Sequence, residues 1–188
     1  MATEEIRRIG VVGCGLMGSG ISEVCARAGR SVVVVEADGA SLDRGRRRVE
    51  SSIARALASH KLIEDAPGET LGRIDFTTDL GALCDRQLVV EAVVEAAADK
   101  VRVFEVLDKV VEAPDALLTS NTSSIPIMKL AMATGRPAQV VGLHFFNPVP
   151  VLPLVEVVAS LLSGDDAVAR AERFAVEVLG KHAIRSKD

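Results

Sequence analysis

The stretch Ile9-Gly-Val-Val-Gly-Cys-Gly-Leu-Met-Gly18 decides the fold. Its first half extends Ile6 into a short, mostly apolar run of strand character. Leu16 to Ala28 follows with helical composition and stops at Gly29. Strand, turn and helix therefore meet at Gly13-x-Gly15-x-x-Gly18. Gly13 permits the tight turn, Gly15 lets backbone N–H groups reach a phosphate at the positive helix end, and Gly18 allows helix and strand to pack closely. Leu16 and Met17 fill the positions between, where the helix opens. Working outward, Ser31-Val-Val-Val-Val-Glu36 is β-branched and apolar at consecutive positions, as in a strand buried on both faces of a parallel sheet. Glu36 stands roughly 20 residues beyond the glycines, where an acid can accept hydrogen bonds from ribose hydroxyls. This context predicts a dinucleotide site; the competing reading is a glycine-rich turn with no ligand. A carboxylate at Glu36 would repel a 2′-phosphate, which favours NAD over NADP unless Arg27, Arg30 or Arg44 lies near enough to offset it.

Further strand-like runs occur at Ile74 to Thr77, Leu88 to Ala92, Ala116 to Thr119 and Val140 to Leu143, with helical stretches at Ala96 to Val111 and Ile125 to Met132. Six strands alternating with helices predict an α/β fold of Rossmann type. Its sheet should be doubly wound and mostly parallel, with ligands at the carboxyl ends of the strands. The interval between Glu36 and Ile74 is longer than a crossover needs, and Leu42, Val49, Ile53 and Leu57 share one helical face. A helical insertion over about 40–72, a long helix plus a second helical piece, is expected after the second strand. Past Leu143 comes a proline-punctuated segment. Extra C-terminal strands are then expected at Leu154 to Val158 and Ala183 to Ser186, around a helix from Asp165 to Leu179.

The chain has 188 residues, enough for one ordinary domain, and its 48% hydrophobic and 26% charged residues suit a folded core. A net charge of −4, no Trp, no Tyr and only five Phe argue against nucleic acid as a partner. The most apolar late segment is broken by Pro150, Pro153 and Glu156, so no transmembrane helix is expected. The N-terminus lacks the pattern of a signal peptide, and a cytoplasmic location is expected. Cys14, Cys25 and Cys84 are odd in number with no Cys-x-x-Cys spacing, so reduced thiols are expected, with neither disulfide nor metal site. Cys14, in the phosphate turn, is a candidate for alkylation if exposed.

A second constellation is Gly142-Leu-His-Phe-Phe-Asn-Pro148, with Glu156 twelve residues past His144. A histidine at a strand end faces the ligand crevice of such a sheet. There its imidazole can take a hydroxyl proton as hydride leaves the same carbon, with Glu156 orienting the ring. On spacing alone a structural histidine is the stronger reading. Glu95 and Lys100 read equally as a solvated pair at a helix start, Asn147 as a turn residue before Pro148, and Ser123 as a helix N-cap.

Four separated segments change that balance: Gly13-Cys-Gly-Leu-Met-Gly-Ser-Gly-Ile21, Leu88-Val-Val-Glu-Ala-Val-Val-Glu95, Ser120-Asn-Thr-Ser-Ser-Ile125, and Gly142-Leu-His-Phe-Phe-Asn-Pro-Val-Pro150 continuing to Leu154-Val-Glu156. Through them the chain resembles the NAD-binding domain of L-3-hydroxyacyl-CoA dehydrogenases over nearly its whole length, most of all the bacterial 3-hydroxybutyryl-CoA dehydrogenases. The resemblance implies oxidation of a short-chain (S)-3-hydroxyacyl-CoA by NAD. It makes His144 the catalytic base, Glu156 its partner, and Ser123 a hydrogen-bond donor to the substrate 3-oxygen lying against the nicotinamide. Glu95, Lys100 and Asn147 match positions that contact NAD, Asn147 also bordering the substrate. The insertion matches a helical hairpin that holds coenzyme A, with Ser52 near a family serine that contacts it and Arg44, Arg46, Arg47, Arg48 and Arg55 suited to its phosphates.

Members of the family continue into a helical domain that makes a homodimer and closes the cleft over the acyl chain, whereas this sequence ends at Asp188. Residues 1–188 thus resemble the cofactor domain alone. The alternatives are a cofactor-binding module inactive without its helical domain, and a related dehydrogenase acting on a free hydroxy acid.

Overall fold

The computed structural model describes residues 5–63 and 68–188. Eight strands form one sheet in the order β3-β2-β1-β4-β5-β6-β7-β8. They are β1 (Arg8–Val12), β2 (Ser31–Val35), β3 (Ile74–Thr77), β4 (Leu88–Glu91), β5 (Leu117–Ser120), β6 (Val140–Phe145), β7 (Leu154–Ala159) and β8 (His182–Lys187). All neighbours pair in parallel except β6 and β7, which run antiparallel. The order reverses between β1 and β4, so the crevice expected of a doubly wound sheet opens beyond Val12 and Glu91.

Helices cover both faces. Val32 and Val34 belong to a core shared with α1 (Leu16–Arg27), α2 (Gly39–Ala58) and α5 (Asp165–Arg173). Val33 and Val35 belong to the opposite core, with Phe104 and Leu107 of α3 (Ala97–Val110) and Leu130 of α4 (Ile127–Ala131). The four consecutive valines of β2 are buried because successive side chains supply opposite layers.

One expectation is corrected and two are made more specific. The helix expected from Ile125 starts at Ile127, because Pro126 holds a non-helical ψ of 127°; the Asp188 carboxylate accepts the first free N–H groups, from Ile127 and Met128, each at 2.7 Å. The helix expected to run to Leu179 is α-helical only to Arg173 and continues as a π turn over Phe174–Val178. In the insertion the long helix is present, with Val49 and Ile53 buried. It ends at Ala58 with Ser59 as its cap, His60 follows with φ 54°, and the second helical piece is, among the described residues, a 3-10 turn at Leu71–Arg73. Residues 64–67 of that expected piece lie outside the described residues.

Candidate active site

The phosphate turn has the geometry its glycines require. Gly13 sits at φ +91°, and a Cβ on Gly18 would lie 1.8 Å from the Gly13 carbonyl oxygen. Gly18→Ala is therefore expected to cost about 1–3 kcal/mol by overpacking and to weaken NADH binding, read as a lower melting temperature and a raised Kd. A Cβ on Gly15, in contrast, would meet nothing within 4 Å, so the space above the start of α1 is open, as a pyrophosphate requires. A crevice of about 790 Å³ runs from Gly13 and Gly15 past Glu36, Ser41 and Arg44 to Asp99 and Arg102. The Glu36 carboxylate accepts the N–H of Cys14 at 2.5 Å and that of Ala37 at 3.2 Å, which fixes it beside the turn. It retains lone pairs for a ribose. Leu16 is exposed at the mouth of the turn and Met17 half-buried. Cys14 is fully buried, and burial, reinforced by Glu36, pushes its thiol up to about 12. The exposure on which alkylation of this thiol depends is not met, because the side chain points into the core shared by α1 and α2.

The crevice continues on the other side of α1's first turn into a hollow of about 390 Å³ lined by Met17, Glu95, Asn121, Ser123, His144 and Asn147. His144 and Glu156 are directly opposite in the antiparallel β6–β7 ladder, and His144 Nδ1 lies 3.1 Å from Glu156 Oε2. A carboxylate only accepts hydrogen bonds, so this contact puts the imidazole proton on Nδ1 and leaves the Nε2 lone pair free. Phe146 packs on the imidazole at 4.5 Å between ring centroids. The hydrogen bond from His144, aided by one from Ser186, holds the Glu156 carboxyl below its ordinary value of 4.5. A depressed pKa contributes stability that is full above the unfolded value and is lost as pH falls through the folded one. The difference in denaturant midpoint between the protein and Glu156→Gln should accordingly shrink as pH is lowered from 6 to 3; a pH-independent difference would contradict the ion pair.

Lys100 is buried rather than solvated, while Glu95 beside it stays exposed. Lys100 is 1% exposed and its ammonium donates to Oε1 of the fully buried Glu91 at 2.7 Å, with Glu95 Oε2 at 3.3 Å. Glu91 also accepts the N–H of Val93 at 2.7 Å and the Ser120 hydroxyl at 2.6 Å. Glu95 in turn accepts the Thr122 hydroxyl, the Ser123 N–H and the Ser124 hydroxyl. Burial raises the Glu95 carboxyl, but the bond from Thr122 and the Lys100 ammonium outweigh it, leaving its pKa below the ordinary value. The loop after β4 and the loop after β5 are thereby tied together, with exposed Ser123 held at the hollow's edge. Sequence reasoning missed Glu91, Ser120, Thr122 and Asn121, whose Oδ1 accepts the Phe145 N–H at 2.8 Å. The signal available for the first two was an acid and a hydroxyl ending adjacent apolar strands, where side chains face a site or need buried partners.

A third hollow, of about 470 Å³, lies between α1 and α2. It carries Arg44, Arg47, Arg48, Ser52 and Arg55 on one wall and Asn147 to Pro150 on the other. Asn147 thus borders both this cleft and the hollow that holds His144. Arg46 is elsewhere, stacked 4.7 Å over the Phe76 ring.

A parallel sheet with a glycine phosphate turn at its switch point, an acid ending β2 and an imidazole–carboxylate pair at the far end of the crevice define a Rossmann-type nucleotide-binding domain of the dehydrogenase kind. The chain belongs to the 3-hydroxyacyl-CoA dehydrogenase, NAD binding domain, family, which it matches over residues 8–188, and NAD is the cofactor this assigns. It is 55% identical to a 3-hydroxybutyryl-CoA dehydrogenase of Mycobacterium tuberculosis over 186 residues, 99% of this chain and 65% of that protein. Among solved structures it superposes on M. tuberculosis FadB2 with a TM-score of 0.96 and 56% identity, covering 98% of this chain and 65% of that one. The (S)-3-hydroxybutyryl-CoA dehydrogenase PaaH1 of Ralstonia eutropha gives a TM-score of 0.93 at 38% identity, covering 98% and 64%. The chain therefore spans about 65% of the length of the M. tuberculosis relative.

Proposed function

We propose that residues 1–188 form the NAD-binding, proton-transferring unit of a 3-hydroxyacyl-CoA dehydrogenase that interconverts (S)-3-hydroxyacyl-CoA and 3-oxoacyl-CoA, with 3-hydroxybutyryl-CoA as the substrate suggested by the relatives' names. The observation that carries this reading is the His144–Glu156 pair, 3.1 Å apart, at the end of the crevice that begins at the phosphate turn. NAD, when bound, supplies the acceptor for the hydride that leaves C3. His144 takes the hydroxyl proton on Nε2 as the O–H electron pair becomes the carbonyl π bond, and the Glu156 carboxylate stabilises the imidazolium that results. Ser123 donates a hydrogen bond to the 3-oxygen, where negative charge develops. Gly13, Gly15, Leu16 and Met17 would receive the pyrophosphate, Gly18 serving by letting α1 pack close beneath the turn, and Glu36 would take the adenosine ribose. Glu95, positioned by Lys100, and Asn147 border the nicotinamide half. The arginine cleft with Ser52 takes coenzyme A, whose phosphates suit guanidinium forks.

No helix among the described residues is long and apolar enough to cross a membrane. We place the protein in the cytoplasm, in line with three free cysteines. The test is NADH oxidation with acetoacetyl-CoA beside free acetoacetate. Turnover of the thioester and not of the acid supports the reading. Equal turnover of both would favour a free hydroxy acid, and NADH binding without turnover would leave a cofactor-binding module.

A further inference from the structure

We infer that Arg44 and Arg48 of α2 are phosphate-binding residues common to both ligands, one pair of guanidinium groups serving NAD on one side and coenzyme A on the other. The inference rests on the reading of the arginine cleft as the coenzyme A site. Its geometric basis is Gly45. A Cβ there would lie 2.5 Å from Cys14 Cβ and 2.7 Å from Cys14 Sγ, so the absence of a side chain is what lets α2 settle onto the phosphate turn. Arg44 and Arg48 lie one helical turn apart on either side of that contact. They form a ridge, with the cofactor crevice on one flank and the arginine cleft on the other, and they are the two residues that line both.

Their charges are available to ligands. Arg44 Nη2 donates to the Ser41 hydroxyl at 2.9 Å, and Arg48 Nη1 reaches the Cys14 carbonyl at 3.5 Å, in the phosphate turn itself. Among the described residues neither has a carboxylate within the 4.0 Å of an ion pair, whereas Arg27 and Arg102 nearby are paired with Glu23 and Asp99. A guanidinium carries five N–H donors around a planar fork, so one edge can engage a phosphate on each flank. Arg47 and Arg55 line only the cleft and Arg102 only the cofactor crevice, which supplies controls on the same surface.

The experiment measures NADH binding by the cofactor's own fluorescence and coenzyme A binding by calorimetry. It uses the 188-residue chain and its Arg44→Met, Arg48→Met, Arg55→Met and Arg102→Met variants. All four arginines are exposed on helices, so the fold should survive each change. Arg44→Met and Arg48→Met are expected to weaken both ligands, each by about three- to tenfold, as for a charge-assisted hydrogen bond at a wet site. Arg55→Met should weaken coenzyme A alone and Arg102→Met NADH alone. If Arg44→Met and Arg48→Met each affect a single ligand, the sharing is overturned while the coenzyme A cleft stands. Equal losses of both ligands in all four variants would overturn it too, by pointing to the general field of the surface. Failure of coenzyme A to bind a protein that binds NADH would defeat the inference together with the reading beneath it.

Discussion

His144→Ala is expected to slow NADH oxidation with acetoacetyl-CoA by about 10²–10⁴-fold while leaving NADH affinity within a factor of about two. The expectation follows from where the ring sits. Its Nδ1 is engaged by Glu156 at 3.1 Å and its other nitrogen is left to the hollow that Ser123 and Asn147 also line. On the proposed mechanism the imidazolium would deliver the proton to the 3-oxygen as hydride arrives at C3 in the reductive direction, so its loss would remove a contribution made chiefly in the transition state. The effect should fall on kcat, with KM little changed. Glu156→Gln keeps the ring in place but removes the charge that stabilises the imidazolium, and a smaller loss is expected from it. A His144→Ala enzyme with undiminished kcat would remove His144 from the chemistry.

The largest stability effect is expected at Lys100. Lys100→Met leaves the Glu91 carboxylate, fully buried, without the ammonium that compensates its charge. Removing one partner of a buried ion pair costs about 3–5 kcal/mol, and for a domain of this size that is a fall in melting temperature of roughly 6–20 °C. The same change frees Glu95, and with it the loop that presents Ser123, so kcat should fall in the fraction that remains folded. The double variant Glu91→Gln, Lys100→Met removes both charges and is expected to recover a large part of the lost stability. If it is no more stable than Lys100→Met alone, the buried pair is not the cause.

What was legible in the sequence was what local pattern encodes. The glycines at 13, 15 and 18, the valine run of β2 and the face of Val49 and Ile53 each follow from a short-range period or turn requirement, and each is in place. The pairing of His144 with Glu156 was not legible from spacing, because it depends on the antiparallel register of β6 and β7. Lys100 read as a helix-start charge because Glu91, its buried partner, ends a different element. The start of α4 was misjudged although Pro126, held at a non-helical ψ of 127°, was in view; the cap that Asp188 supplies to Ile127 and Met128 from some 60 residues away was not legible. Of the second helical piece expected in the insertion, the described residues show a 3-10 turn at Leu71–Arg73 that buries no residue of its own.

The most direct measurement is a crystal structure of the protein with NADH bound. The expected electron density places the pyrophosphate over Gly15 at the start of α1, the adenosine beside Glu36, and the nicotinamide in the hollow of Ser123 and His144. A nicotinamide outside that hollow, or an adenosine in the cleft of Arg47 and Arg55, would contradict the assignment of His144 as the base that works beside the cofactor.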